Sequence, residues 1–401
     1  MPTDLRPVEE IRFAGLTRVN PEAILNLMDT APGQPIDVKV VDKDMRRLFG
    51  TGDFEHVTYR IFEENGRRVM LVSATEKSWG PNYLRFGLSL SSDFGGESYY
   101  NLAASYRRTW INSLGGEWRT DLQVGKNSFL ATELYQPLLT GRYLFVAPRA
   151  IVERHTVDLF NGSQRIARYD LRSRSLGLDV GTDLTKYGEI RLGLVRGSID
   201  ARLDTGPVEL APPPDRIPLG AVTFRAVVDQ VDNLNFPREG FGGNLRLYGS
   251  RKALGADDDY TKWIADGGGA YSLGGHTLQL YVRGGGAVGN GTLPRYDLLQ
   301  WGGFLQQSGY PTGALVGQEL SFGRLVYTNR LHHQPLLDGI YVGVSLEVGR
   351  MAHPLVAGSP TGTLKSAAVF FGVDSPVGPI YLGYGRAADG NSSAYFFLGR
   401  P

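Results

Sequence analysis

Along most of the chain, hydrophobic and polar residues alternate with a period of two. Leu84, Phe86, Leu88 and Leu90 are separated by Arg85, Gly87, Ser89 and Ser91, and Leu278, Leu280 and Val282 oppose Thr277, Gln279 and Arg283. Trp118, Leu122 and Val124 stand against Glu117, Arg119, Asp121 and Gln123, and Val342, Val344, Leu346 and Val348 against Gly343, Ser345, Glu347 and Gly349. Successive side chains of a strand point to opposite faces, so each stretch predicts a strand with one apolar face. Turn clusters divide residues 82–401 into about sixteen such strands. Their connections tend to alternate between tight (112–116, 138–142, 186–189, 273–276, 374–378) and long (200–216, 289–317, 351–362). A soluble sandwich also alternates in polarity, but short turns on one rim and long loops on the other predict an up-and-down transmembrane barrel. An even number of strands lets the sheet close, which satisfies every backbone group in lipid. The 320 residues from 82 onward supply about 20 per strand and connection, enough for spanning strands of about 9–11.

The first 77 residues follow a different pattern. Asn20-Pro21 suits a helix N-cap followed by proline, with Ile24, Leu27 and Met28 on one face. A second helix is predicted from Asp37, with Val41, Met45 and Leu48 as its apolar stripe and Gly50 or Gly52 at its end. Val57, Tyr59 and Ile61 then alternate, Asn65-Gly66 predicts a hairpin, and 68–76 returns as a strand. The expected organisation is an N-terminal tail (1–7), a small βααββ domain (8–77), a linker (78–81, Ser-Trp-Gly-Pro) and the barrel (82–401), with an inward loop over 289–317.

Composition narrows the functions available. Lys+Arg 42 against Asp+Glu 41 gives a net charge of +1, so no global field points to nucleic acid. With no cysteine there is no disulfide framework, zinc cluster or thiol nucleophile. No run approaches a membrane helix, and no signal peptide is visible after Met1. A G-x-S-x-G elbow is missing. His332-His333 fall in an expected Pro-containing turn without metal-ligand spacing, and neither metal nor cofactor is expected. Asp257-Asp258-Asp259 reads as a solvated loop. Glycine, 53 of 401 residues, includes Gly267-Gly268-Gly269 and Gly284-Gly285-Gly286 inside strands, where it allows bending or a packed loop. Arg168, Asp170, Arg172 and Arg174 recur at period two and are expected to line a water-filled lumen with Arg324 and Glu347. The segment from Trp301 to Tyr310, through to Gly317, is aromatic and glycine-punctuated. In a barrel too wide for side chains to fill, it predicts an inward-folding plug.

These residues resemble the superfamily that joins periplasmic POTRA domains to a sixteen-stranded outer-membrane barrel, which includes barrel-assembly insertases and two-partner secretion transporters. Phe13-x-Gly15, Pro21, Gly33-x-Pro35, the stretch Leu48 to Phe54 and Glu76-Lys77 are similar to one POTRA domain. Asp229, Asn233, Pro237 and Gly240 resemble the turn after the eighth barrel strand, 305–317 the inward loop, and 372–385 the penultimate hairpin. A single POTRA domain and the loop sequence Gln307-Ser308-Gly309-Tyr310 most resemble the membrane module of patatin-like phospholipase (type Vd) autotransporters. Ser308 stands where the superfamily usually has an arginine anchored to the inner wall, so the resemblance carries the loop's inward position and not its lock. Family barrels usually end in an aromatic residue, whereas this chain ends at Leu398-Gly399-Arg400-Pro401.

The resemblance implies a bacterial outer-membrane anchor, with its POTRA domain in the periplasm, that exports or displays an N-terminal phospholipase passenger lying upstream of this chain. No catalysis of its own is expected. Outer-membrane lipids, the attached passenger, the barrel-assembly machinery during biogenesis and a second copy in a homodimer are the partners considered. A passive porin and an insertase for other membrane proteins are the rival readings.

Overall fold

A computed structural model describes residues 6–78, 80, 82–94, 98–139, 144–161, 164–184, 187–210, 212, 216–334 and 337–400. Most of the tail, Trp79 and Pro81 of the linker, Pro213, Pro214, Lys186 and the tip of the 138–142 turn lie outside the described residues.

The N-terminal domain runs β1 (Glu10–Ala14), α1 (Pro21–Leu25), α2 (Val38–Gly50), β2 (Phe54–Glu64) and β3 (Arg67–Glu76). Short polar side chains fix where both helices begin: the Asn20 side chain accepts the Glu22 N–H and Asp37 that of Lys39, each at 2.9 Å. Val41, Met45 and Leu48 of α2 then pack with Ile24, Phe54, Met70 and Val72 as one core. The sheet order is β1-β3-β2, with β1 parallel to β3 and β2 antiparallel to it. Glu76 ties the end of β3 to the β1–α1 link. Its side chain is 5% exposed and accepts the backbone N–H groups of Thr17, Arg18 and Val19 and the Arg18 guanidinium. Burial alone would raise its pKa, but these four donors outweigh burial and hold it at about 2.

The remaining strands are β4 (Asn82–Ser92), β5 (Ser98–Arg108), β6 (Glu117–Gly125), β7 (Ser128–Pro137), β8 (Leu144–Asn161), β9 (Gln164–Asp183), β10 (Gly188–Thr205), β11 (Ile217–Asp229), β12 (Gly240–Ser250), β13 (Tyr260–Leu273), β14 (His276–Ala287), β15 (Leu299–Trp301), β16 (Leu315–Gln334), β17 (Leu337–Pro354), β18 (Leu364–Ser375), β19 (Gly378–Ala387) and β20 (Ser392–Leu398). They close into one antiparallel barrel in which β14 pairs with β16, and the three-residue β15 is only an addition to β16. Sixteen strands therefore form the wall. His332 and His333, expected in a turn, continue the backbone of β16 instead.

The wall is uneven in height. β8, β9 and β10 have 18, 20 and 18 residues, whereas β20 has 7. Its outer face is apolar, with Phe86 79%, Leu176 68% and Leu346 60% exposed. A continuous exposed belt of this kind suits lipid rather than water. The β5–β6 turn docks on the N-terminal domain: Trp110 Nε1 and Thr109 Oγ1 donate to Asp53 at 3.2 and 3.3 Å, and Tyr83 Oη donates to the Gly52 carbonyl at 3.2 Å. This defines a near rim beside the domain and a far rim away from it.

Candidate functional site: the plugged barrel lumen

The segment between β14 and β16 enters the lumen from the far rim and packs against the inner faces of β17 to β20. Its path needs unusual backbone conformations. Leu305 (φ 57°), Gln307 (φ 80°) and Gly309 (φ 99°) are all left-handed, and a Cβ on Gly309 would strike the Ala387 N–H at 2.6 Å. The wall makes room with glycine: a Cβ added at Gly349, Gly383 or Gly385 would come within 3.0 Å of Gln307, Phe304 or Ser308. Phe304 fills the resulting groove among Phe370, Tyr381, Tyr395 and Phe397, with ring centroids 5.3–6.0 Å apart.

Glu347, 4% exposed on β17, is the polar centre. It accepts the backbone N–H groups of Gln307 (3.0 Å) and Ser308 (2.5 Å), and the hydroxyls of Ser308 (2.8 Å) and Ser345 (2.7 Å). Four donors thus replace the water that the carboxylate lost. Gln307 Nε2 donates to Ser366 Oγ at 2.8 Å. Arg324, in β16, donates to the Leu305 carbonyl at 2.6 Å and lies 4.9 Å over the Tyr281 ring. Tyr395 of β20 accepts the Gly309 N–H at 2.8 Å and donates to the Tyr310 carbonyl at 3.0 Å, while the Tyr310 hydroxyl donates to Asp389. Gly317 lies on β16, where a Cβ would press on Met351 and the Ala352 carbonyl.

A second insertion comes from the near rim. In the β11–β12 turn, Asn233 Oδ1 accepts the N–H groups of Asn235 and Phe236, and its Nδ2 donates to Asp374 at 3.2 Å across the barrel. Asp229 accepts the Val231 N–H, the Pro237 carbonyl accepts from Gln279, and Gly240 (φ 102°) has no space for a Cβ beside the Gln230 carbonyl. The turn places Phe236 between Tyr341 (4.2 Å) and Tyr381 (5.0 Å), so both insertions meet on Tyr381.

The predicted arginine ladder takes the opposite face. Tyr169, Leu171, Ser173 and Ser175 of β9 line the lumen cavity, so Arg168, Asp170, Arg172 and Arg174, of opposite parity, point outward with Leu176, Leu178 and Val180. Glu347 is therefore no partner of theirs. Arg168 pairs with Asp158 (2.6 Å) and Arg172 with Asp170 (3.3 Å) on the outer surface. The inner charge lattice consists of other residues. Arg191 bridges Glu133 (2.7 Å) and Glu189 (2.6 Å), Arg149 meets Asp179 (3.0 Å) and Arg107 meets Glu117 (2.5 Å). A cavity of about 1080 Å³ remains beside the loop, between the walls of β8–β13. Among the described residues there is no cluster of three or more metal-ligating side chains.

Residues 7–74 match the POTRA family, described as surface antigen variable number repeat. No curated protein matches the chain. Among solved structures, BamA from Haemophilus ducreyi lacking POTRA domains 1–3 superposes with a TM-score of 0.69 at 14% identity, over 98% of this chain and 83% of that one. CdiB from Acinetobacter baumannii gives 0.65 at 11% identity over 98% and 74%, and CdiB from Escherichia coli 0.60 at 15% over 98% and 76%. The chain thus sets one POTRA domain before a closed sixteen-stranded barrel, a fold it shares with BamA and CdiB.

Proposed function

We propose that this chain is a non-enzymatic outer-membrane module that anchors an N-terminal passenger and carries it to the cell surface, with its POTRA domain in the periplasm. The apolar outer belt supports the anchoring. The observation that carries transport is the seam. β20 meets β4 at only three register pairs (Phe396–Ser92, Phe397–Ser91, Leu398–Leu90), whereas β4 and β5 share eleven. Most of the edge of β4 is free of β20, and an extended segment can hydrogen-bond there or leave through it. The free edge of β2 in the POTRA sheet offers a receiving strand on the periplasmic side. The Gln307-Ser308-Gly309-Tyr310 loop in a barrel that follows a POTRA domain favours a patatin-like phospholipase as the passenger. Gln307, Ser308, Gly309 and Tyr310 serve as the plug, with Glu347 as its anchor.

Fusing a secreted reporter upstream of residue 6 tests this. Protease added to intact cells is expected to remove the reporter. Leu90→Cys with Leu398→Cys, in a chain free of other cysteines, locks the seam on oxidation and is expected to retain the reporter inside. A reporter that stays in the periplasm in the unlocked fusion overturns the transport reading, leaving a pore or an insertase.

A further inference from the structure

The outward arginines of β8 and β9 are unexplained by transport. Arg154 stands directly opposite Arg172 in the register, and both hold one carboxylate: Arg154 Nη2 lies 2.9 Å and Arg172 Nη2 3.3 Å from Asp170 Oδ2. The next position toward the near rim is Arg174, whose register partners are Val152 and Ser198. It has no acid opposite. Arg154 and Arg172 share the Asp170 carboxylate, and Asp200, which faces Arg172 from β10, is taken up by Arg216 at 3.1 Å, so Arg154, Arg172 and Arg174 leave an excess of two positive charges on this stretch of wall. The arginine side chains of Arg154 and Arg172 remain about half exposed, at 54% and 48%, while that of Asp170 is 9% exposed.

Their height is equally specific. Leu176, Leu178 and Val180 follow Arg174 on the same outer face. Arg174 stands nine residues along β9 from its near-rim end at Asp183, which at about 3.3 Å per residue and a tilt of about 40° is a rise of ~23 Å. The apolar band of an outer-membrane barrel is about 25 Å tall. The arginines therefore sit where acyl chains give way to headgroups, in the leaflet away from the POTRA domain. Guanidinium forks match phosphate oxygens bidentately, and long stems reach the interface from an apolar wall. Asp170 holds two of the forks in place before a ligand arrives.

We infer that Arg154, Arg172 and Arg174 form a binding site for a phosphorylated lipid headgroup of the outer leaflet, fixing the tall β8–β10 wall against that leaflet. The inference rests on the membrane reading above, and the experiment separates the two.

The full chain is placed in phosphatidylcholine nanodiscs doped with bisphosphorylated lipid A or with phosphatidylglycerol, and in a third arm with inorganic phosphate in solution. Retained ligand is counted by native mass spectrometry. Failure to enter the phosphatidylcholine discs at all overturns the membrane reading itself. Given entry, wild-type is expected to retain lipid A, with a weaker preference for phosphatidylglycerol and none for inorganic phosphate. Arg154→Gln/Arg172→Gln/Arg174→Gln is expected to lose at least tenfold in lipid A affinity, while Arg85→Gln, at a β4 position that lines the lumen with Arg107 and Glu117, binds as wild-type. Arg174→Glu, which touches no ion pair of the lattice, guards against misfolding and is expected to show a loss of the same order. Lipid A retention undiminished in both outer-face variants, or equal capture of inorganic phosphate, overturns the site.

Discussion

Ser308 shows how a buried anchor is built without a charge of its own. Its side chain is fully enclosed, and its Cβ lies 2.5 Å from where a Cβ on Gly385 would be. The arginine usual in the superfamily that the sequence resembles therefore has no volume here, and the lock is assembled from two backbone N–H groups and a hydroxyl on Glu347. Arg324 supplies the cation from the wall instead of from the loop. Ser308→Arg is expected to destabilise the seated loop by about 1–3 kcal/mol through overpacking. Heat-induced gel-shift of the detergent-solubilised barrel measures this: the variant should lose its compact form at a lower temperature. Equal stability would show that the groove has room to spare.

At the scale of the element, period two told which residues share a face but not which face they share. The arginines of β9 were expected inside because charge suits water. The correct reading was present in the parity of Arg174 with Leu176, Leu178 and Val180, and was hidden because β9, at 20 residues, is longer than a bilayer requires. The N-cap at Asn20 and the start of the second helix at Asp37 were legible because their determinants are local. The inward turn at Asn233 was recognisable as a turn, but its destination was not, since Asp374 lies 141 residues away. Glu76 joins two elements in the same non-local way. Because its folded pKa of about 2 is below the ordinary 4.5, its contribution is complete above about 4.5 and is lost as pH falls toward 2. Glu76→Gln should therefore speed amide exchange at Thr17, Arg18 and Val19 at neutral pH, corresponding to a loss of about 1.5–3 kcal/mol. The gap to wild-type should close between pH 4.5 and pH 2. A gap unchanged over that range would assign the effect to shape rather than charge.

For the whole molecule, strand number, closure and the presence of an N-terminal α+β domain were legible from alternation and turn spacing. That a second insertion joins the loop on one wall was not, because the two connections differ in length and converge through glycines and aromatics that are far apart in sequence. Both insertions crowd the β17–β20 side and leave the cavity on the other. The resting barrel is expected to conduct only in small steps across a planar bilayer. Replacing 302–314 with a short Gly-Ser linker should raise the unit conductance several-fold. Large openings in the wild-type chain, unchanged by the replacement, would favour the porin.

The hydrogen bonds between Tyr395 and the loop also impose an order on biogenesis. Residues 302–314 are synthesised before any of β17 to β20, yet the Gly309 N–H and Tyr310 carbonyl have their partner on the final strand. The plug cannot finish seating until the β19–β20 hairpin arrives, so a seated plug certifies that the chain has been laid down through β20 and that the ring is closed.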